Sequence, residues 1–212
     1  MPRLPILLCL GCALAVAGLL HAERHDRRRA RAVFKLAAST AFVLLALSLH
    51  ATASAYGQVV LLALALSWIG DACLLAERDA WFLAGLGAFL LAHIAFSAAF
   101  AFGASIAPAL AAGALPIAVV GFFVLRWLWP RLDAFHRFAV GSYVLAILVM
   151  CTLALARSTA GGSWIVAAGA FAFAASDLSV ARDRFVAPGF SNRAWGLPLY
   201  FAAQLLLAAS VA

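Results

Sequence analysis

The stretch "SWIGDACLLAERDAWF", residues 67–82, joins two long apolar runs across a few charged side chains. Glu77, Arg78 and Asp79 end the first run as charges usually end a membrane span. Asp71 lies inside that run, several residues before them. A boundary charge stays solvated, whereas an ionisable group within a spanning helix needs a partner or a task.

The whole chain shares the character of those runs. Of its 212 residues, 67% are hydrophobic and 11% are charged, against roughly 45–50% and about 25% in a soluble domain. Apolar runs of about 20 residues without a two-residue alternation indicate spanning α-helices and exclude an outer-membrane barrel. The expected fold is therefore an all-α integral membrane protein, a bundle of about eight transmembrane helices with short loops. The spans are predicted at 4–21, 33–50, 57–76, 82–103, 106–125, 137–156, 163–181 and 194–212. Residues 1–212 form a single polytopic membrane domain in this reading, because no loop is long enough for a separate soluble unit.

The formal charge of +7 is concentrated in connecting segments, where arginines set topology beside anionic lipid; nucleic acid is not an expected partner. Arg24, Arg27, Arg28, Arg29, Arg31, Arg78, Arg126, Arg131, Arg182, Arg184 and Arg193 follow odd-numbered spans, and only Arg3 and Arg157 lie on the other side. The positive-inside rule then makes the odd-to-even loops cytoplasmic and both termini external, as in a bacterial-type inner membrane. Trp81, Trp127, Trp129, Trp164 and Trp195 fall at span ends, where indole rings anchor helices to the interface. The N-terminal run resembles a signal peptide, but the charge after it outweighs the charge before it, so it reads as a retained first helix. "CLGC" at 9–12 has no second ligand pair and implies neither a metal site nor a disulfide.

A four-plus-four internal duplication would explain a weak echo, since "GDACLLAERDAWF" closes the third span and "SDLSVARDRF" the seventh. Each places an Asp before an Arg-Asp pair. Asp71 and Asp177 thus stand at similar depth, roughly 7 Å inside the apolar region for a five-residue offset. His93 lies deeper, near the middle of the fourth span. Lys35 and Ser39 share a face of the second span, and Tyr200 and Gln204 share one of the eighth. Lys35 could instead snorkel to the head groups, the aspartates could be register-setting ion pairs, and His93 could be an interhelical hydrogen-bonder.

Two Asp and one His on separate helices carry no local metal motif, so no metal is expected. "GGSW" at 161–164 and "GASIA" at 103–107 lack the pattern of a nucleophilic serine elbow. Two embedded carboxylates suit acid–base chemistry, because burial favours a neutral acid while a nearby cation keeps a second carboxyl ionised.

These segments resemble the YhhN-like membrane proteins, a family that includes the lysoplasmalogenases. The resemblance is carried by Gly70-Asp71, "GLGAFLLAH" at 85–93, Ser176-Asp177 and "PLYFAAQ" at 198–204, and runs from about residue 33 to the C-terminus. One departure is that the family usually follows its second-span lysine with proline, whereas Leu36 follows Lys35 here. The resemblance implies an eight-helix enzyme that hydrolyses the vinyl ether bond of a lysoplasmalogen to a fatty aldehyde and glycerophosphoethanolamine or glycerophosphocholine, with no cofactor. It implies catalytic Asp71, Asp177 and His93, and substrate-binding Lys35, Tyr200 and Gln204.

A vinyl ether is hydrolysed by protonation at carbon followed by capture of an oxocarbenium ion by water. That route needs one protonated acid and one carboxylate, by the two-carboxylate logic of glycosidases. Asp71 and Asp177 fit these parts, with no basis in sequence for saying which is which. Arg184 and Arg137 are further candidates for the substrate phosphate at the cytoplasmic rim. A transporter or lipid-moving protein is the competing reading, since embedded charges, Pro116, Pro198 and a repeat also suit transport. A structural membrane protein is a third.

Overall fold

The computed structural model describes residues 3–76, 78–102 and 107–212, with the backbone alone at 107–112. Glu77 and most of the "GASIA" segment lie outside the described residues.

Among the described residues eight helices follow one another: α1 (Arg3–Arg24), α2 (Arg28–Ser48), α3 (Ala55–Cys73), α4 (Asp79–Ala101), α5 (Ala107–Leu128), α6 (Ala134–Thr159), α7 (Trp164–Phe185) and α8 (Phe190–Ala209). Short 3-10 turns at Ala51–Ala53 and Trp129–Arg131 complete the regular structure, and no strand occurs among the described residues. Helices are the natural outcome in lipid, because each satisfies its own backbone polar groups where no water can. Polar side chains close the exposed ends. Ser54 accepts from the Gly57 N–H at 3.0 Å to start α3, and Asp133 accepts from His136 N–H at 2.8 Å to start α6.

Seven of the helices are long and apolar enough to cross a membrane, and α8 falls outside that group. Its 20 residues make it about 30 Å long, but it carries Asn192, Arg193, Tyr200 and Gln204 toward the protein interior. The eighth predicted span is thus present as a helix whose polarity reflects what it faces.

The distribution of side chains is that of a membrane protein. Leu14 is 74% exposed and Phe138 78% exposed, while Asp71 is 2% exposed and His93 fully buried. One apolar core draws on every helix, through residues such as Cys12, Phe42, Leu64, Phe96, Ile117, Met150, Phe173 and Phe201. All four cysteines are free.

Sequential helices pack in pairs, α1 with α2, α3 with α4, α5 with α6 and α7 with α8. The α2–α3 contact is matched by α6–α7, and α2–α8 by α6–α4, as two similar halves would produce. The α1–α8 contact has no counterpart of comparable extent between α5 and α4 among the described residues, so the duplication is not established. Close approach of α3 and α4 depends on Gly70. A Cβ there would stand 2.6 Å from the Phe89 ring, and small residues at such crossings let helices meet in lipid.

Candidate active site

Asp71 sits two residues from the end of α3, buried and surrounded by donors from two other helices. From α2, Lys35 Nζ lies 3.3 Å from Oδ1, and the Ser39 hydroxyl donates to Oδ2 at 2.6 Å. From α8, the Tyr200 hydroxyl donates to the same oxygen at 2.7 Å. Lys35 and Ser39 reach the carboxylate together because i, i+4 residues share a helix face. Helix α2 runs unbroken through Lys35 and Leu36, so the missing proline does not prevent the contact. Both carboxyl oxygens are thus engaged, Oδ1 by an ammonium and Oδ2 by two hydroxyls.

Asp177, on α7, has a different neighbourhood. His93 Nε2 of α4 stands 3.2 Å from Asp177 Oδ2, off the line of a well-formed hydrogen bond, and neither atom has another such partner. His93 Nδ1 lies 2.7 Å from the Phe89 carbonyl. A carbonyl only accepts, so Nδ1 carries the hydrogen and Nε2 is the nitrogen that faces the acid. The arrangement can pass a proton between the acid and the imidazole. The Tyr143 hydroxyl of α6 also faces Asp177, and its ring meets His93 edge-on at 5.1 Å.

Aromatic rings separate and orient the two centres. Phe173 stacks on His93 at 4.4 Å and lies 5.6 Å from Tyr200, while Phe89 meets Tyr200 edge-on at 5.8 Å. A cavity of about 1020 Å³ reaches both centres and is lined by Lys35, Asp71, Tyr143, Asp177 and Tyr200. One wall is apolar, with Ile117 and Val120 of α5 and Val144 and Ile147 of α6. At the other end stand Glu23, Arg31, Asp183, Arg184 and Arg193. Such a cavity can hold an amphiphile, with its tail along α5 and α6 and its polar end at the charged mouth.

The remaining sequence candidates are distributed unevenly. Gln204 is fully buried beside Ser67, its Nε2 3.5 Å from Ser67 Oγ, and does not line the cavity. Arg184 lines the mouth but is engaged by Asp79 at 2.6 Å and lies over the Phe82 ring at 4.4 Å. Arg137 lies 5.2 Å over the Trp129 ring and does not line the cavity. Among the described residues no three His, Cys, Asp or Glu side chains form a metal-ligand group.

Sequence reasoning passed over Tyr143, Glu23 and Asp183. Tyr143 could have been found by the criterion that selected Tyr200, a hydroxyl inside an apolar run. Glu23 and Asp183 look in sequence like ordinary boundary charges beside arginines.

Fold and site together define a polytopic helical membrane protein with two unlike carboxyl centres opening on one amphiphilic cavity. The chain belongs to the YhhN family, whose sequence model matches residues 30–211. It is 30% identical over 157 residues to the Bos taurus protein named lysoplasmalogenase TMEM86A, covering 71% of this chain and 64% of that one. It is 34% identical over 160 residues to a Mycobacterium bovis protein named lysoplasmalogenase, covering 67% and 59%. The chain thus spans less than two thirds of the length of these curated relatives. No solved structure matches it significantly.

Proposed function

We propose that this protein hydrolyses the vinyl ether bond of a lysoplasmalogen, releasing a fatty aldehyde and glycerophosphoethanolamine or glycerophosphocholine. The observation that carries the reading is that one cavity presents two carboxyl groups with unlike partners. Asp71 faces Lys35 and accepts from Ser39 and Tyr200, and Asp177 faces Nε2 of His93. The names of the relatives support the same reaction.

In this mechanism the Asp177–His93 pair delivers its proton to the β-carbon of the vinyl ether, leaving an oxocarbenium ion across the α-carbon and ether oxygen. Asp71 stabilises that cation and accepts a proton from the water that attacks the α-carbon. A weak base suffices, because the cation is strongly electrophilic. The hemiacetal collapses when Asp71 returns its proton to the glycerol oxygen and Asp177 recovers the hydroxyl proton. One water is consumed and both groups are reset. The steps call for no metal or organic cofactor. Lys35 also stands where it can meet the substrate's glycerophosphate, with Arg184 nearer the mouth.

The arginine distribution supports an orientation with the charged mouth cytoplasmic and both termini outside, in a bacterial-type inner membrane. The deciding experiment is aldehyde release by the purified protein from lysoplasmalogen. Asp71→Asn and Asp177→Asn should fold and lose turnover. Release by neither wild type nor variants, with movement of lysolipid across vesicles, would establish the transport reading instead.

A further inference from the structure

At the mouth of the cavity, Arg193 of α8 bridges two carboxylates from different helices. Its Nη1 lies 3.0 Å from Glu23 Oε2 on α1, and its Nη2 3.3 Å from Asp183 Oδ2 on α7. Arg31 of α2 approaches the same Glu23 oxygen at 3.7 Å. Asp183 is further held by the Gly189 N–H at 2.7 Å and Asn192 Nδ2 at 3.0 Å. All five of Glu23, Arg31, Asp183, Asn192 and Arg193 line the cavity that holds Asp71 and Asp177.

We infer that Glu23 and Asp183 are head-group specificity residues, selecting a lipid whose phosphate is followed by a primary ammonium over one ending in a quaternary ammonium. The inference rests on the hydrolase reading and deepens it. Three observations lead there. Asp183 lies six positions beyond Asp177 on α7, and Arg193 seven positions before Tyr200 on α8. Those offsets correspond to about 10 Å along each helix, of the order of the distance from the first glycerol carbon to the head-group nitrogen. The second is charge. Arg31 and Arg193 stand against Glu23 and Asp183, with Arg182 on Asn192, and a zwitterion can enter without changing the net charge, its phosphate taking a guanidinium and its ammonium the carboxylates so released.

The third is chemistry. A primary ammonium offers three N–H donors to carboxylates, whereas a trimethylammonium offers none and is bound best by aromatic cages. Of the phenylalanines that line the cavity on α4 and α7 near these charges, Phe82 is covered by Arg184 and Phe185 meets the His136 ring edge-on at 5.6 Å. The mouth therefore has acceptors for the first cation and no cage for the second. Glu23, whose side chain is 9% exposed, contributes an acceptor already stripped of most of its water.

The test is binding, which does not depend on turnover. The uncleavable 1-O-hexadecyl-glycerophosphoethanolamine and its phosphocholine counterpart are titrated into the full chain in nanodiscs. Wild type should bind the ethanolamine lipid about tenfold more tightly, the scale of a charged hydrogen bond. Glu23→Gln should bring the two affinities together mainly by weakening the ethanolamine lipid. Asp183→Asn should act likewise, but Asp183 also ties the α7–α8 turn, so Glu23→Gln is decisive if that variant fails to fold. Equal affinities in wild type, or an unchanged ratio in Glu23→Gln, would overturn the inference. Aldehyde release by the same preparations is scored separately, so a protein that discriminates the head groups without cleaving vinyl ethers refutes the hydrolase and not the selection.

Discussion

His93 Nε2 stands 3.2 Å from Asp177 Oδ2 while its other ring nitrogen is tied to the Phe89 carbonyl at 2.7 Å. The carbonyl dictates which nitrogen faces the acid, which leaves Nε2 as the ring atom able to exchange a proton with Asp177. Asp71, by contrast, is saturated with donors.

In the proposed mechanism, replacing Asp177 removes the proton donor and should cost turnover most. Asp177→Asn is expected to lower kcat by a factor of about a hundred to ten thousand, the usual worth of a positioned acid, with little change in affinity for an uncleavable ether lipid. Single-turnover aldehyde release beside lipid titration measures both. A kcat within a few-fold of wild type would remove Asp177 from the chemistry.

Lys35 and Asp71 are both buried, with side chains 11% and 2% exposed. Removing one leaves the other charge unpaired, so Lys35→Met and Asp71→Asn should each destabilise the protein by about 3 kcal/mol. The double variant should recover much of that loss and remain inactive. Denaturation in detergent for all three, with turnover alongside, distinguishes a catalytic carboxylate from a packing ion pair.

Gly70 admits the Phe89 ring against the backbone of α3. A Cβ at 2.6 Å from that ring would displace Phe89 and, through it, Tyr200 and His93. Gly70→Ala is expected to cost about 1–3 kcal/mol, the range for overpacked cores, and to reduce kcat more than Gly87→Ala. A Cβ at Gly87 meets nothing within 4 Å, which makes it the control.

If the α5–α6 wall receives the alkenyl chain, filling it should select against long chains. Val120→Trp is predicted to raise KM several-fold for a hexadecenyl substrate and to spare a short-chain analogue. Equal effects on both would place the tail elsewhere.

Asp133 lies outside the spans, and its carboxyl is held below the ordinary range by the His136 backbone N–H and then by the His136 side chain. A lowered folded-state value contributes stability that is present above the unfolded value and lost as pH falls through the folded one. Asp133→Ala should therefore be less stable than wild type near neutrality, and the two should converge in strong acid, as thermal melts across pH would record.

Much of the architecture was legible in the chain. Eight helices appear among the described residues where apolar runs were read, and Lys35 and Ser39 share a face, but Asp71 lies two residues before the end of α3 and Asp177 eight before the end of α7, not at the equal offsets the spans suggested. Exposed tryptophans such as Trp81, Trp129 and Trp164 sit at helix ends. The partners were harder to read. Arg184 looked available to phosphate but is engaged by Asp79, while Glu23 looked like a boundary charge and lines the cavity.

The difference has a physical cause. Transfer of a helix into lipid sums over the residues of one segment, so local composition determined the membrane class, the number of helices and which polar groups were out of place. The charge state of an acid is set by donors within a few ångströms, and those come from other helices. Tyr200 reaches Asp71 across 129 positions of sequence, and His93 reaches Asp177 from α4. Periodicity shows which residues share a face and not which faces meet, so the contrast between an Asp71 ringed by donors and an Asp177 that faces His93 was decided only by the packing of α2, α3, α4, α7 and α8.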